Sequence, residues 1–328
     1  MLGSVLGTKI AIFIGGAALG GSLTYFSISK QASPVASTKL SPAGLGGFGG
    51  QGPLVRRQED SGTAQEILKY GNPGPISDFR EHVSYVMSYN RMLRNPNWVA
   101  EHLTKEKLKN NGGDRSDSNF HEDASIPEEF RALLKDYYRS GYDRGHMVPA
   151  ADAKVSQEAM NETFLLSNMA PQVGRGFNRD YWAHFEEFIR RLTDSFEDVY
   201  CITGPLYLPQ QDPTNKKWYT KYEVIGNPPN IAVPTHFYKV VLVKRKSESS
   251  VAIGGFVLPN AQIDNAKPLT DFSVPIEHIE KAAGLNFFDK EARMKAAPLC
   301  SKTRCQTVLS KFHKKQLELT NKPALPRK

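Results

Sequence analysis

From Arg179 onward, apolar side chains recur every three or four residues: Tyr181, Trp182, Phe185, Phe188, Ile189 and Leu192 fall on one face of a 3.6-residue period. That spacing predicts an amphipathic helix packed on a core through an aromatic stripe. Beyond it the pattern changes. Runs rich in β-branched and aromatic residues at 199–203, 222–225, 236–244 and 251–258 predict strands, and 83–89 and 98–103 predict two more upstream. A helix is predicted over 275–283, a helix start at Pro127 followed by Glu128 and Glu129, and a short helix running to Thr163 with Ser156 as its cap. Strands and helices in this succession read as an α+β fold, a mostly antiparallel central sheet flanked by helices. The chain shows no internal repeat.

The first sixty residues follow neither period. Residues 10–26 form an uncharged run of 17 residues, which at 1.5 Å per residue would cover about 25 Å, slightly short of a bilayer core. A membrane anchor, a cleaved secretory signal and part of a mitochondrial presequence all compete for it. Presequences are Arg-rich, and here no Arg precedes Arg56. An uncleaved anchor or targeting segment over 1–30 is the preferred reading, with Gly16 and Gly20 as a small-residue pair suited to helix packing. Residues 31–64, with Gly44, Gly46, Gly47, Gly49 and Gly50 and prolines at 34, 42 and 53, read as a flexible linker. One globular domain over 65–300 and a basic tail over 301–328 remain.

A chain of 328 residues with a formal charge of +8 invites a nucleic-acid partner. The distribution weakens that inference. Residues 1–60 carry +3 and residues 301–328 carry +7, leaving −2 for everything between. A near-neutral domain can still hold a basic groove, but net charge does not demonstrate one, so the function must be read from a site. Three cysteines do not make a disulfide scaffold in a chain this long. Cys201 lies in an apolar run and reads as a buried thiol. Cys300 and Cys305 are either bridged across four intervening residues or two reduced thiols. A zinc site would need two further ligands, and His313 is the only histidine nearby.

Chemistry concentrates in two places. In Asp143-Arg144-Gly145-His146 an acid, a guanidinium, a glycine and an imidazole stand in consecutive positions. With an ordinary pKa near 6.5, His146 can accept a proton from water at cellular pH. Arg144 would share its face in an extended segment and could hold phosphate oxygens, and Gly145 would allow close approach of a phosphate or backbone. A surface turn with an Asp–Arg ion pair and a core histidine are the plainer readings. The second place is Asn178, at the start of the aromatic helix, with Glu186 eight residues on. Asn178 is either an N-cap or an amide oxygen offered to a hard cation such as Mg²⁺. Glu186 is either an exposed helical carboxylate or a group that holds a metal-bound water.

Taken together, Asp143 to His146, Asn178 and Glu186 resemble the DNA/RNA non-specific endonuclease family with its ββα-metal (His-Me) finger, in the branch of mitochondrial endonuclease G and its fungal relatives. Thr163-Phe164-Leu165-Leu166-Ser167-Asn168, Ala170-Pro171-Gln172, Thr203-Gly204-Pro205-Leu206-Tyr207 and Ala232-Val233-Pro234-Thr235-His236 are similar to the family too, so the resemblance spans roughly 65–285. It implies a sugar-non-specific nuclease acting on DNA and RNA with a single Mg²⁺, or Mn²⁺ in its place, and leaving 5′-phosphate ends. In that reading His146 is the general base, Asn178 the one direct metal ligand and Glu186 an outer carboxylate. The family also sets an upstream arginine on the phosphate, here Arg115, beside the part read above for Arg144 from its position. The resemblance also implies a homodimer at the mitochondrial inner membrane or intermembrane space, tethered through residues 10–26. The competing readings are a catalytically inactive nucleic-acid-binding module, which would be expected to lose His146 or Asn178, and a phosphodiesterase of small nucleotides.

Overall fold

The computed structural model describes residues 62–74, 77–246 and 250–308. The apolar segment 10–26 and the end of the basic tail lie outside the described residues. In chain order the strands are β1 (Phe79–Glu81), β2 (Tyr85–Asn90), β3 (Asn95–Leu103), β4 (Asp143–His146), β5 (Met169–Gln172), β6 (Asp198–Leu206), β7 (Gln210–Gln211), β8 (Trp218–Tyr219), β9 (Val224–Ile225), β10 (Ile231–Ala232), β11 (His236–Lys244), β12 (Val251–Pro259) and β13 (Ala297–Pro298). The helices are α1 (Thr63–Ile67), α2 (Lys105–Lys109), α3 (Gln157–Glu162), α4 (Tyr181–Leu192), α5 (Ile276–Ala283), α6 (Lys290–Met294) and α7 (Leu299–Lys302).

Seven strands form one sheet in the order β1-β2-β3-β6-β11-β12-β13, antiparallel at every pairing except the short β12–β13 edge. Alternation along each strand sends neighbours to opposite cores. Val99, Cys201, Val241 and Phe237 pack with Trp182, Phe185 and Ile189 of α4 on one face. Ala100, Ile202, Val240 and Tyr238 pack with Ile67 of α1, Ile279 of α5 and Phe287 on the other. With both faces covered, β11 is an almost unbroken apolar run. Burying a large apolar side chain contributes roughly 1.5–3 kcal/mol, so the aromatic stripe, more than helix propensity, fixes α4 to the sheet.

The predicted α+β class and mostly antiparallel sheet are what the structure has. Ser156 caps α3 through the Ala159 N–H (3.1 Å), and α5 follows Pro275 and ends at Gly284 in the left-handed region (φ 69°). Two expectations fail. Pro127 with Glu128 and Glu129 starts only a single 3₁₀ turn, Glu128–Phe130, because the Arg131 side chain folds back onto the carbonyls of Ile126 and Ala124 and the chain leaves extended. Residues 222–225 yield only β9, which pairs with β10 in a ribbon outside the main sheet. Cys300 and Cys305 are bridged, which puts Cys305 into the α4-side core, and Val308 then donates its N–H to the His184 carbonyl of α4 (3.3 Å). Cys201 is a buried free thiol. Among the described residues no helix is long and apolar enough to cross a membrane.

Candidate active site

Strand β4 pairs antiparallel with β5, residue for residue from Asp143↔Gln172 to His146↔Met169, and β5 leads through an irregular turn into α4. This is the ββα unit. Because β4 is extended, Arg144 and His146 share a face, and both lie against Phe120. The Arg144 guanidinium is 4.3 Å from the ring centroid and the His146 ring 5.4 Å. Phe164 meets His146 edge-on at 4.9 Å, and the Arg115 guanidinium sits 5.1 Å over Phe164. Two phenylalanines thus bring Arg115, distant in sequence, to Arg144 and His146 of β4 along one cleft of about 980 Å³. Enclosure by these rings, with the Arg115 charge beside it, pushes the His146 pKa down to about 3. The imidazole is therefore neutral at any cellular pH, and its Nε2 is buried without a hydrogen-bond partner.

The turn into α4, residues Gly174–Asn178, is wider than an α-turn: the Asn178 N–H reaches Val173 O (2.9 Å) and the Arg179 N–H reaches Gly174 O (3.1 Å). Gly176 at its centre has φ 82°. Helix α4 begins at Tyr181, so Asn178 is not the N-cap; that position is Asp180, whose carboxylate accepts the Gly176 N–H (2.5 Å). The residues between Asn178 and Glu186 are consequently not all helical. Asn178 donates from Nδ2 to Asp143 Oδ2 (2.9 Å). A carboxylate here can only accept, so the amide is oriented and its other atom, Oδ1, is left as the acceptor on a residue that lines the cleft. Asp143 also receives two bonds from Arg179 (2.7 and 2.5 Å). Burial raises its pKa, but these bonds from Arg179 and Asn178 outweigh that and hold it below the usual carboxylate range. The ion pair of the first motif is thus Asp143 with Arg179, not with Arg144. Gly145 makes room within the β4–β5 ribbon: a Cβ there would overlap the side chain of Gln172.

Glu186, half-buried on α4, opens onto the same cleft. Burial raises its pKa to about 7, against the pull of Lys239 and Arg190. Beneath it lies a layer that the sequence did not reveal. Lys239 of β11 is 1% exposed, donates to Thr203 Oγ1 (2.8 Å) and sits 5.0 Å from the Trp182 ring centroid. Glu101 of β3 is buried too, and burial holds its carboxyl well above the ordinary range. Asp152 is buried and paired with Arg190 of α4 (2.9 Å), which also reaches Glu187 (3.1 Å). Two asparagines brace the unit. Asn168 accepts the Val148 N–H (3.0 Å) and donates to the carbonyls of Val148 and Thr163. Asn260 accepts the Val173 N–H (2.9 Å) and donates to Pro171 O and Pro234 O.

Lys105, Lys109, Arg115, Arg139, Arg144, Lys154, Arg179, Arg190 and Arg191 line the cleft against the carboxylates of Asp143, Glu186, Glu187 and Asp194. Nine cations facing four anions make a basic groove in a stretch whose net charge is −2. The family model for DNA/RNA non-specific endonucleases matches residues 63–294. The chain belongs to this family. It is 56% identical over 259 residues to a nuclease of Syncephalastrum racemosum, covering 77% of this chain and 81% of that one. It is 52% identical over 250 residues to the mitochondrial nuclease of Saccharomyces cerevisiae, covering 75% and 76%. A chain of the crystal structure of the EndoG/EndoGI complex superposes with a TM-score of 0.69 at 48% identity, covering 72% of this chain and 95% of that one. The protein is therefore a nuclease, an endonuclease of DNA and RNA, and the names of its relatives place it among mitochondrial nucleases.

Among the described residues of the nuclease, no group of three or more His, Cys, Asp or Glu converges as a metal cage. The carboxylates a two-metal site would need are committed elsewhere: Asp143 to Arg179, Asp152 to Arg190, Asp180 to a backbone N–H. An oriented amide oxygen at Asn178, beside a cleft that admits water and substrate phosphate, instead fits a hydrated hard cation with one protein ligand.

Proposed function

We propose that this nuclease hydrolyses phosphodiester bonds with His146 as general base, Asn178 as the direct ligand of one Mg²⁺ or Mn²⁺, and Glu186 as the carboxylate that holds water on that ion. The observation that carries the reading is the neutral, aromatic-enclosed His146 with an unpartnered nitrogen in a cation-lined cleft. A neutral imidazole takes a proton from water, and the hydroxide attacks phosphorus in line. Arg144 and Arg115, both facing the cleft over the phenylalanine pair, hold nonbridging oxygens as negative charge grows. A divalent cation held at Asn178 would supply further positive charge against the leaving 3′ oxygen. Asp143 fixes the Asn178 amide so that its oxygen, not its nitrogen, is presented. The ends left should be a 5′ phosphate and a 3′ hydroxyl.

Water as nucleophile has no use for a ribose 2′ hydroxyl, which supports one site for both sugars. Residues 62–328 with Mg²⁺, Mn²⁺ or chelator, given plasmid DNA and RNA together, provide the test. The reading requires competition between the two, loss of both activities in chelator, and 5′-phosphate ends. A 2′,3′-cyclic end or chelator-resistant cleavage would sink it. We further read residues 65–300 as the catalytic domain of a homodimer, tethered through residues 10–26 and the linker 31–64 in the intermembrane space, with 301–328 as a basic tail. The support is the family resemblance and the uncharged run in the sequence. Carbonate extraction of a reporter carrying residues 1–60 from mitochondria should leave it in the membrane fraction; release would remove the tether.

A further inference from the structure

The turn that enters β4 carries an unusual pair. Tyr137 is buried among Leu166, Met169, Ile225 and Ile231, and Asp136 before it accepts from the Leu133 N–H (2.9 Å) and from Asn230 Nδ2 (2.7 Å). The chain is thus anchored up to Tyr137. The next residue, Tyr138, is 71% exposed. Arg139 follows at φ 54°, in the left-handed region where a side chain is disfavoured and glycine is at ease. That backbone brings the Arg139 guanidinium over the Tyr138 ring, 5.1 Å from its centroid. Gly141, again left-handed at φ 84°, then turns the chain toward β4, and Tyr142 is pinned by its hydroxyl to Glu223 (2.8 Å). Tyr138, Arg139 and Tyr142 line the same cleft as Arg144 and His146.

Resting on the nuclease reading, the geometry points to Tyr138, stacked on Arg139, as a platform for an unpaired base of a single-stranded substrate, one or more nucleotides from the bond that is cut. A tyrosine held by a guanidinium on one face and exposed on the other offers what any nucleobase can stack on, without hydrogen bonds that would choose among bases. A non-glycine residue at φ 54° is conformationally costly, and the position yields a cation at the mouth of a basic cleft. An apolar or cationic partner would meet this charge unfavourably, whereas a polyanion whose bases are free meets both halves of the pair. A closed duplex keeps its bases stacked on each other, so the platform discriminates strand state and not sugar.

The test compares kcat and KM of wild type, Tyr138→Ala, Tyr138→Phe and Arg139→Gly on a short single-stranded DNA and on closed duplex plasmid, with thermal melts of each. Tyr138→Ala should raise KM on the single strand roughly tenfold, within the range for losing one base stack, and change it far less on duplex. Its kcat should hold. Tyr138→Phe, which keeps the ring, should resemble wild type. Arg139→Gly should raise KM on the single strand while leaving the melting temperature equal or higher, since glycine suits φ 54°. Equal KM changes on both substrates, a Phe variant as impaired as the Ala variant, or an Arg139→Gly variant with wild-type KM would each overturn the proposal. Because every comparison is a KM ratio on an active enzyme, it stands or falls separately from the assignment of His146 as base.

Discussion

His146 and Glu186 face one cleft, yet burial moves them in opposite directions: it disfavours the histidine cation and the glutamate anion alike, so one pKa falls to about 3 and the other rises to about 7. The imidazole proposed as base is uncharged from far below neutrality, while the carboxylate of the metal-free protein ionises only near pH 7. The acid limb of kcat/KM should therefore belong to Glu186 and should move to lower pH as Mg²⁺ rises, since a nearby cation favours the carboxylate. Glu186→Gln should flatten that limb between pH 5 and 8 at a lower overall rate; an unmoved limb would assign the titration to another group. Stability follows the same sign. A carboxyl whose folded pKa lies above its unfolded value stabilises fully below the unfolded pKa, and that contribution is lost as pH rises through about 7. Thermal melts should thus show Glu186→Gln gaining over wild type at pH 8 and not at pH 4. Asn178 is tested by titration with metal: with its amide oxygen gone, half-maximal activity should need at least about tenfold more Mg²⁺, the scale on which losing even an outer partner weakens metal sites. Curves that overlay would leave Asn178 as a brace for Asp143 alone.

Helix α4 was legible because its aromatic stripe repeats with the helical period. Its start was not. Asn178 looks like a cap, but the wide turn at Gly174–Asn178 is set by Gly176 against Gln262 and by Asn260 holding Val173, contacts far away in sequence. Lys239 carries no sequence signal for a related reason: one cation in the apolar run of β11 suggests an edge or a solvent-facing position, and only the pairing of Lys239 with Thr203, beneath Trp182, shows that it faces α4. The motifs proposed as catalytic are readable because they are short and contiguous, whereas the layer that supports them comes from β3, β6 and β11. The β4–β5 ribbon gives a test at this scale. Gly145→Ala drives a methyl into Gln172 and should cost about 1–3 kcal/mol of stability as overpacking, with activity falling as β4 shifts. Adding Gln172→Ala should recover melting temperature and rate together. No recovery in the double variant would mean that Gly145 serves the substrate directly.

At the scale of the whole molecule, the formal charge misleads and the placement of charge informs. The termini carry the excess, yet nine cations of the near-neutral domain gather in one cleft, which only the fold could reveal. Both contribute to grip in different degrees. Stopping the chain after Thr320 removes Lys322, Arg327 and Lys328, and should lower the log–log salt slope of DNA binding by at most about 2.7, three contacts at roughly 0.9 each. The larger part should persist in the cleft. A slope that vanishes would make the tail the main binding surface.

The central claim is that a neutral His146 takes the proton from the attacking water. It is tested most directly by single-turnover cleavage of one DNA substrate by wild type and His146→Ala at saturating Mg²⁺, with the DNA dissociation constant of each measured alongside. The account predicts a rate at least about 100-fold lower, in keeping with loss of a general base, at an unchanged dissociation constant. A variant that binds normally and cleaves within a few-fold of wild type would contradict it.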